Sequence, residues 1–160
     1  MYWNIKEKLE NEGYIHYEIS NFAKKGYESK HNTNCWKQEE YIGFGVAAHS
    51  YINNKRISNT EDIEKYIELI KMQNFDKLKN VNEIQDNEAK MKEYMMLGLR
   101  KIDGIKISEF KEKYIQNPLY VFRNEIDKLV REELIEIDLD SIKLSKKGLD
   151  LANQVWIEFV

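Results

Sequence analysis

The chain has 160 residues, one cysteine, one proline and a formal charge of −3 from 25 basic and 28 acidic side chains. One thiol excludes an internal disulfide framework and, for this chain alone, any iron–sulfur cluster or four-cysteine zinc site, which need three or four thiolates. The acidic balance, with Lys strongly preferred to Arg, argues against a nucleic-acid partner, and no apolar run approaches a membrane span or a signal segment, so the expectation is a soluble cytoplasmic protein with no membrane insertion.

The unusual residues crowd the amino-terminal part. All three histidines (His16, His31, His49), Cys35, Trp3, Trp36 and four of the seven glycines precede residue 51. The first dozen residues have the spacing of an amphipathic helix ending at Gly13, with Ile5 and Leu9 on one face. Tyr14 to Ile19 alternates as a strand, with Ile15, Tyr17 and Ile19 on one face and Tyr14, His16 and Glu18 on the other. Residues 21–38 have no period and predict a long loop with room for a helical turn, and loops of that length are commonly functional. Residues 41–49 are apolar and predict a short buried strand, and Asn53-Asn54 predicts a hairpin turn. Thr60 is the expected cap of a helix whose Ile63, Tyr66, Ile67 and Ile70 share a face. Residues 74–86 are polar and are the expected linker.

The second half predicts a helix over 87–101 with Met91, Tyr94, Met95 and Ile102 on one side, then a very short strand at Gly104-Ile105. A helix opened by Ser108 follows. The next has Asn117 as cap and Pro118 at its first position, where a missing N–H leaves no bond unmade. Residues 134–138 and 142–144 flank an acidic turn, and a last helix capped by Ser145 carries Leu149, Ala152, Trp156 and Phe159. Helix, strand, helix, helix, hairpin, helix is the order of a winged-helix unit. Residues 104–160 carry nine Lys or Arg against eleven Asp or Glu, the wrong sign for a phosphate-binding face. A structural or protein-contacting winged helix is therefore expected. The methionines Met91, Met95 and Met96 read as core filling.

Candidate chemistry sits in residues 14–51. His31 and Cys35 are four apart, so one helical turn would put an imidazole and a thiolate on the same face. Either can ligate haem iron or another transition metal, and Trp36 with neighbouring tyrosines could line a slot for a flat ring. The alternative reading is a loop histidine bonded to backbone beside a cysteine that packs as a small hydrophobe. No Walker-type loop, Ser-His-Asp order or His-Glu-x-x-His motif is present, and Gly43-Phe44-Gly45 lacks the third glycine of a dinucleotide loop.

Three runs go further. Tyr17-Glu18-Ile19-Ser20-Asn21-Phe22-Ala23, His31-Asn32-Thr33-Asn34-Cys35-Trp36 and Tyr41-Ile42-Gly43-Phe44-Gly45-Val46-Ala47-Ala48-His49-Ser50 resemble consecutive motifs of the oxygen-independent coproporphyrinogen III oxidase-like family. Met96-Leu97-Gly98-Leu99-Arg100, Gly104-Ile105 and Leu144-Ser145-Lys146-Lys147-Gly148 are similar to its carboxy-terminal domain. The likeness runs from about Gly13 to the end and favours the haem chaperone subgroup over a true oxidase. It departs at Lys25, where the family commonly has proline, and at Cys35, where the chaperone motif has tyrosine.

The resemblance implies an α+β chain: the last strands and helices of a partial (β/α) barrel (1–73), the linker, and a winged-helix-like domain with a β-hairpin (87–160). It implies that the parent protein binds S-adenosylmethionine and a [4Fe–4S] cluster, whose Cys-x-x-x-Cys-x-x-Cys motif this chain lacks. This chain alone is therefore expected to hold neither and to perform no radical chemistry. The implied partners are a tetrapyrrole (haem or coproporphyrinogen III), the missing amino-terminal barrel portion and a haem-acceptor protein. In the implied site His31 ligates iron, with Cys35 offering a thiolate beside it. Trp36 walls the ring, Asn32 fixes the loop, Gly43 and Gly45 let backbone approach the cofactor, and His49 sits at the mouth. The oxidase, which converts propionates to vinyls, and an interaction-only terminal domain are the competing expectations.

Overall fold

A computed structural model describes all residues, 1–160. The fold is α+β, with nine α-helices and three small antiparallel sheets. Its contacts separate it into two units, one formed by residues 1–37 with 91–160 and the other by residues 38–90.

In the first unit, helix α1 (Tyr2–Asn11) stops before Gly13, which takes a positive φ of 75°. Strands β1 (Ile15–Glu18) and β2 (Asn21–Ala23) form a hairpin across Ile19-Ser20, with Glu18 opposite Asn21. The buried face of β1 carries His16 and Glu18, while Ile15 on the apolar face is exposed. Alternation is therefore present with its faces reversed, because the inward Glu18 carboxylate and His16 Nε2 have hydrogen-bond partners. Residues 21–38 are more ordered than their composition predicts: they hold β2 and the helix α2 (Lys30–Trp36).

The winged-helix order is present. From Met91 onward α4 (Asn87–Gly98) buries Met91, Tyr94 and Met95, and β6 (Ile105–Lys106) follows. Then come α5 (Ile107–Tyr114), α6 (Pro118–Val121), α7 (Arg123–Arg131) and the hairpin β7 (Ile135–Ile137) and β8 (Ser141–Leu144). The sheet order is β6-β8-β7, so the short strand pairs with the far arm of the hairpin. Asn117 caps α6 ahead of Pro118 as expected. Helix α5 starts one residue before Ser108. The Ser108 N–H and hydroxyl both donate to the Asp140 carboxylate, which these bonds hold below the usual carboxylate range.

The final helix is broken. Leu151 (φ −122°) separates α8 (Lys146–Asp150) from α9 (Ala152–Trp156), and a 3₁₀ turn over Ile157–Phe159 ends the chain. Ser145 caps α8 by accepting from Gly148 N–H. The core is aromatic at its centre: Phe110 meets Tyr94 and Phe122 edge-on, and Phe122 meets Phe159 at 5.5 Å. Such edge-to-face pairs add stabilisation beyond the apolar area they bury.

In the second unit, β3 (His49–Ile52), β4 (Lys55–Asn59) and β5 (Lys79–Ile84) make a meander around the expected Asn53-Asn54 turn, where both residues take positive φ. Two expectations change. Residues 74–86 are not a free linker, since 79–84 pair with β4. The composition hid this strand because all six of its side chains are exposed, so no apolar alternation was needed. Helix α3 (Ile63–Lys71) is capped by Asp62, not Thr60, whose hydroxyl instead accepts from Asp62 N–H. Only Leu69 of α3 is buried. Ile63 is 62% exposed, and Ile67 and Ile70 also face outward, so the shared apolar face lies open.

Candidate functional site

Helix α2 is two turns long and carries the His31-to-Trp36 motif. Ser29 starts it: its hydroxyl accepts from Asn32 N–H at 3.3 Å, and its carbonyl accepts from the Thr33 hydroxyl at 2.9 Å. The Ser29 N–H donates to the Tyr17 hydroxyl, which ties the helix start to β1. At the other end the Lys113 ammonium donates to Lys37 carbonyl at 3.0 Å, a cation at the negative pole of the helix.

Within α2, the expected pairing is present. His31 Nε2 lies 3.8 Å from Cys35 Sγ, with His31 exposed and Cys35 half-buried. Trp36 lies on the buried side, 8% exposed, its ring 6.3 Å from that of Tyr17. Trp36 therefore anchors the helix and does not stand open as a wall for a flat ligand. Asn32 is half-buried, and its backbone N–H completes the Ser29 cap. The site of α2 is thus an outward-facing imidazole and sulfur on a helix clamped from both ends.

The other three candidates, Gly43, Gly45 and His49, belong to the second unit. The stretch 41–48 is not the expected strand. Tyr41 pairs with Tyr51 through an isolated bridge, after which Gly45 (φ +109°) and Ala47 (φ +57°) turn the chain out of extended geometry. Gly43 N–H donates to the Ser50 hydroxyl, and a Cβ on Gly43 would run into the backbone carbonyl of His49. The Gly45 carbonyl accepts from the Asn59 side-chain amide at 2.7 Å. Gly43 thus serves close approach of the chain to itself, whereas Gly45 has open space around it and serves its positive φ, and His49 is exposed at the first position of β3.

Sequence reasoning missed a second polar centre. Glu18 has no solvent exposure, yet its carboxylate meets Arg100 at 3.0 Å, Ser20 N–H at 2.9 Å and the Asn21 amide at 2.6 Å. The Arg100 guanidinium also stacks 4.6 Å from the Trp156 ring. Backbone bonds from Ile19 N–H to the Arg100 carbonyl and from Ile102 N–H to the Tyr17 carbonyl run beside the ion pair. The available signal was the Glu-Ile-Ser-Asn run itself, whose polar residues converge once a two-residue turn folds them together. Behind Glu18, the His16 ring stacks on Phe22 at 4.4 Å and its Nε2 lies 3.3 Å from the Ile19 carbonyl. Burial lowers the His16 pKa, and its Nδ1 is buried without a partner.

No three His, Cys, Asp or Glu side chains converge on a point that could hold a metal ion. The donor set of this chain does not fit a [4Fe–4S] cluster, which takes its thiolates from several cysteines. What α2 offers is one nitrogen and one sulfur donor, 3.8 Å apart. No helix is long and apolar enough to cross a membrane.

Residues 85–151 match the HemN C-terminal domain family. The chain is 38% identical over 160 residues to the heme chaperone HemW of Bacillus subtilis, covering all of this chain and 42% of that protein. It is 33% identical to the heme chaperone HemW of Lactococcus lactis, covering all of this chain and 41% of that one. The chain therefore spans about two fifths of the length of these relatives. Among solved structures, the coproporphyrinogen III oxidase HemN of Escherichia coli, described as a radical SAM enzyme, superposes on 98% of this chain and 39% of its own with a TM-score of 0.73. At 15% identity that likeness establishes the fold.

Proposed function

We propose, from the match of residues 85–151 to the HemN C-terminal domain family, that the chain is the carboxy-terminal part of a cytoplasmic haem chaperone. In this reading α2 holds haem, and the protein passes it to an acceptor protein. The observation that carries the reading is the 3.8 Å approach of His31 Nε2 to Cys35 Sγ on a helix clamped at both ends. Imidazole and thiolate are two of the side chains proteins use to hold haem iron. A ligand fixed on a preordered helix loses less entropy on binding than one on a mobile loop.

The roles divide accordingly. His31 and Cys35 supply donors to the iron, Trp36 and Tyr17 fix the helix that presents them, and Asn32 secures its first turn. Residues 1–73 belong to the end of the full-length protein's barrel, and any cluster or S-adenosylmethionine is held by its other residues. An oxidase would need that cluster to act, whereas haem holding by α2 needs only residues present here.

Hemin titrated into the chain should give a saturable Soret band at one equivalent. Replacing both donors (His31→Ala with Cys35→Ser) should abolish saturable binding. An unchanged band in the double variant removes α2 as the haem site.

A further inference from the structure

We propose that the exposed isoleucine face of α3 is a self-association surface, on which α3 of a second copy of this chain packs antiparallel.

Helix α3 buries little of its apolar surface. Leu69 is its one buried residue, whereas Ile63, Ile67 and Ile70 are exposed at spacings of four and then three. Such spacing makes the seam of a coiled coil, which a second helix covers by interleaving its own seam residues. Three β-branched side chains have few rotamers to lose when the seam closes. Half-buried Tyr66 and buried Leu69 mark the side of α3 that meets its own unit. Glu64 and Lys71 are exposed along the opposite flank of the seam.

Charge selects the occupant and its direction. Glu64 and Lys71 each follow a seam isoleucine by one position, so they line one flank seven residues apart. In an antiparallel pair that sets Ile67 against the partner's Ile70, the same flanks of the two helices face each other. Glu64 then meets the partner's Lys71, and Lys71 meets the partner's Glu64. Sliding the pair to set Ile67 against the partner's Ile63 would bring the two Glu64 carboxylates together, which like-charge repulsion disfavours. A parallel pair would form neither ion pair and would set both helix dipoles in the same direction. The antiparallel match is reciprocal, as a two-fold interface requires. With nine residues in α3 the contact is small, so the association is weak and reversible.

Sedimentation equilibrium of the whole chain from micromolar to millimolar concentration tests this, at low ionic strength where surface charges are least screened. The wild type should pass from monomer to dimer across that range. Ile67→Lys should stay monomeric. Ile67 is already 47% exposed, so the circular dichroism and melting of this variant should match the wild type. Glu64→Lys and Lys71→Glu should each weaken the dimer roughly ten-fold, because each turns two ion pairs into two like-charge contacts. Combining them reverses every charge and should restore the dimer to within about three-fold of the wild type. A wild type that stays monomeric at millimolar concentration overturns the proposal, as does a dimer that persists in Ile67→Lys. Single charge variants that leave the dimer unchanged, or a double variant that fails to restore it, overturn the antiparallel pairing.

Discussion

The Arg100 guanidinium lies 3.0 Å from the carboxylate of Glu18, whose side chain is wholly removed from solvent. This pair joins β1 to the segment after α4, and two backbone hydrogen bonds run alongside it. Its members are unequally placed, since the arginine side chain keeps 30% exposure and the glutamate keeps none. Removing the arginine leaves a buried carboxylate without its cation. Removing the glutamate charge leaves a cation that can turn to water. Arg100→Met should therefore lower stability by roughly 3 kcal/mol, the lower end of the cost of breaking a buried pair. Glu18→Gln should cost about 1 kcal/mol, the scale of one weakened hydrogen-bond set. Urea unfolding of both variants checks the order, and equal losses would contradict the asymmetry.

Gly43 is held against the His49 carbonyl, with no room for a side chain. Gly43→Ala should force that contact apart, break the Tyr41–Tyr51 bridge beside it, and cost roughly 1–3 kcal/mol as overpacking does. Hydrogen exchange should show the Tyr51 amide, which donates to Tyr41 carbonyl at 2.9 Å, losing protection. Unchanged protection with unchanged stability would mean that the glycine is not needed for the local fold.

Burial lowers the His16 pKa below its ordinary 6.5. As pH falls through 6.5, the unfolded chain takes up a proton that the folded chain resists, so the unfolded state binds more protons and stability falls. The contribution is whole above 6.5 and is lost as pH drops towards the lower folded value. Urea midpoints of wild type and His16→Gln, compared from about pH 8 to about pH 5.5, should therefore converge as the wild type loses its advantage. Parallel curves would show that the ring's burial does not resist protonation.

The carboxy-terminal half was largely legible in the sequence because its signals are local. Asn117 with Pro118, Ser145 with Gly148, and the apolar spacing of α4 and α7 each fix an element from within a few residues. Long-range partners hid the rest. Strand β5 has no buried side chain and exists only because β4 offers a hydrogen-bonding edge. Glu18 turned inward because Arg100 lies 82 residues away in sequence. Gly43 and Gly45 sat in an apolar run that reads as a strand, but their backbone requirements bent it into a loop. At the candidate site, the four-residue spacing of His31 and Cys35 was a local signal and their approach followed from the helix. The side of α2 on which Trp36 lies was not, because it depends on where Tyr17 sits.

Iron K-edge X-ray absorption of the hemin-loaded chain tests most directly whether α2 supplies the ligand that holds haem. If α2 holds haem, a sulfur neighbour to ferric iron is expected that disappears in Cys35→Ser, with a spectrum altered again when His31→Ala is added. A spectrum with only nitrogen and oxygen neighbours, identical in the wild type and the double variant, would contradict it.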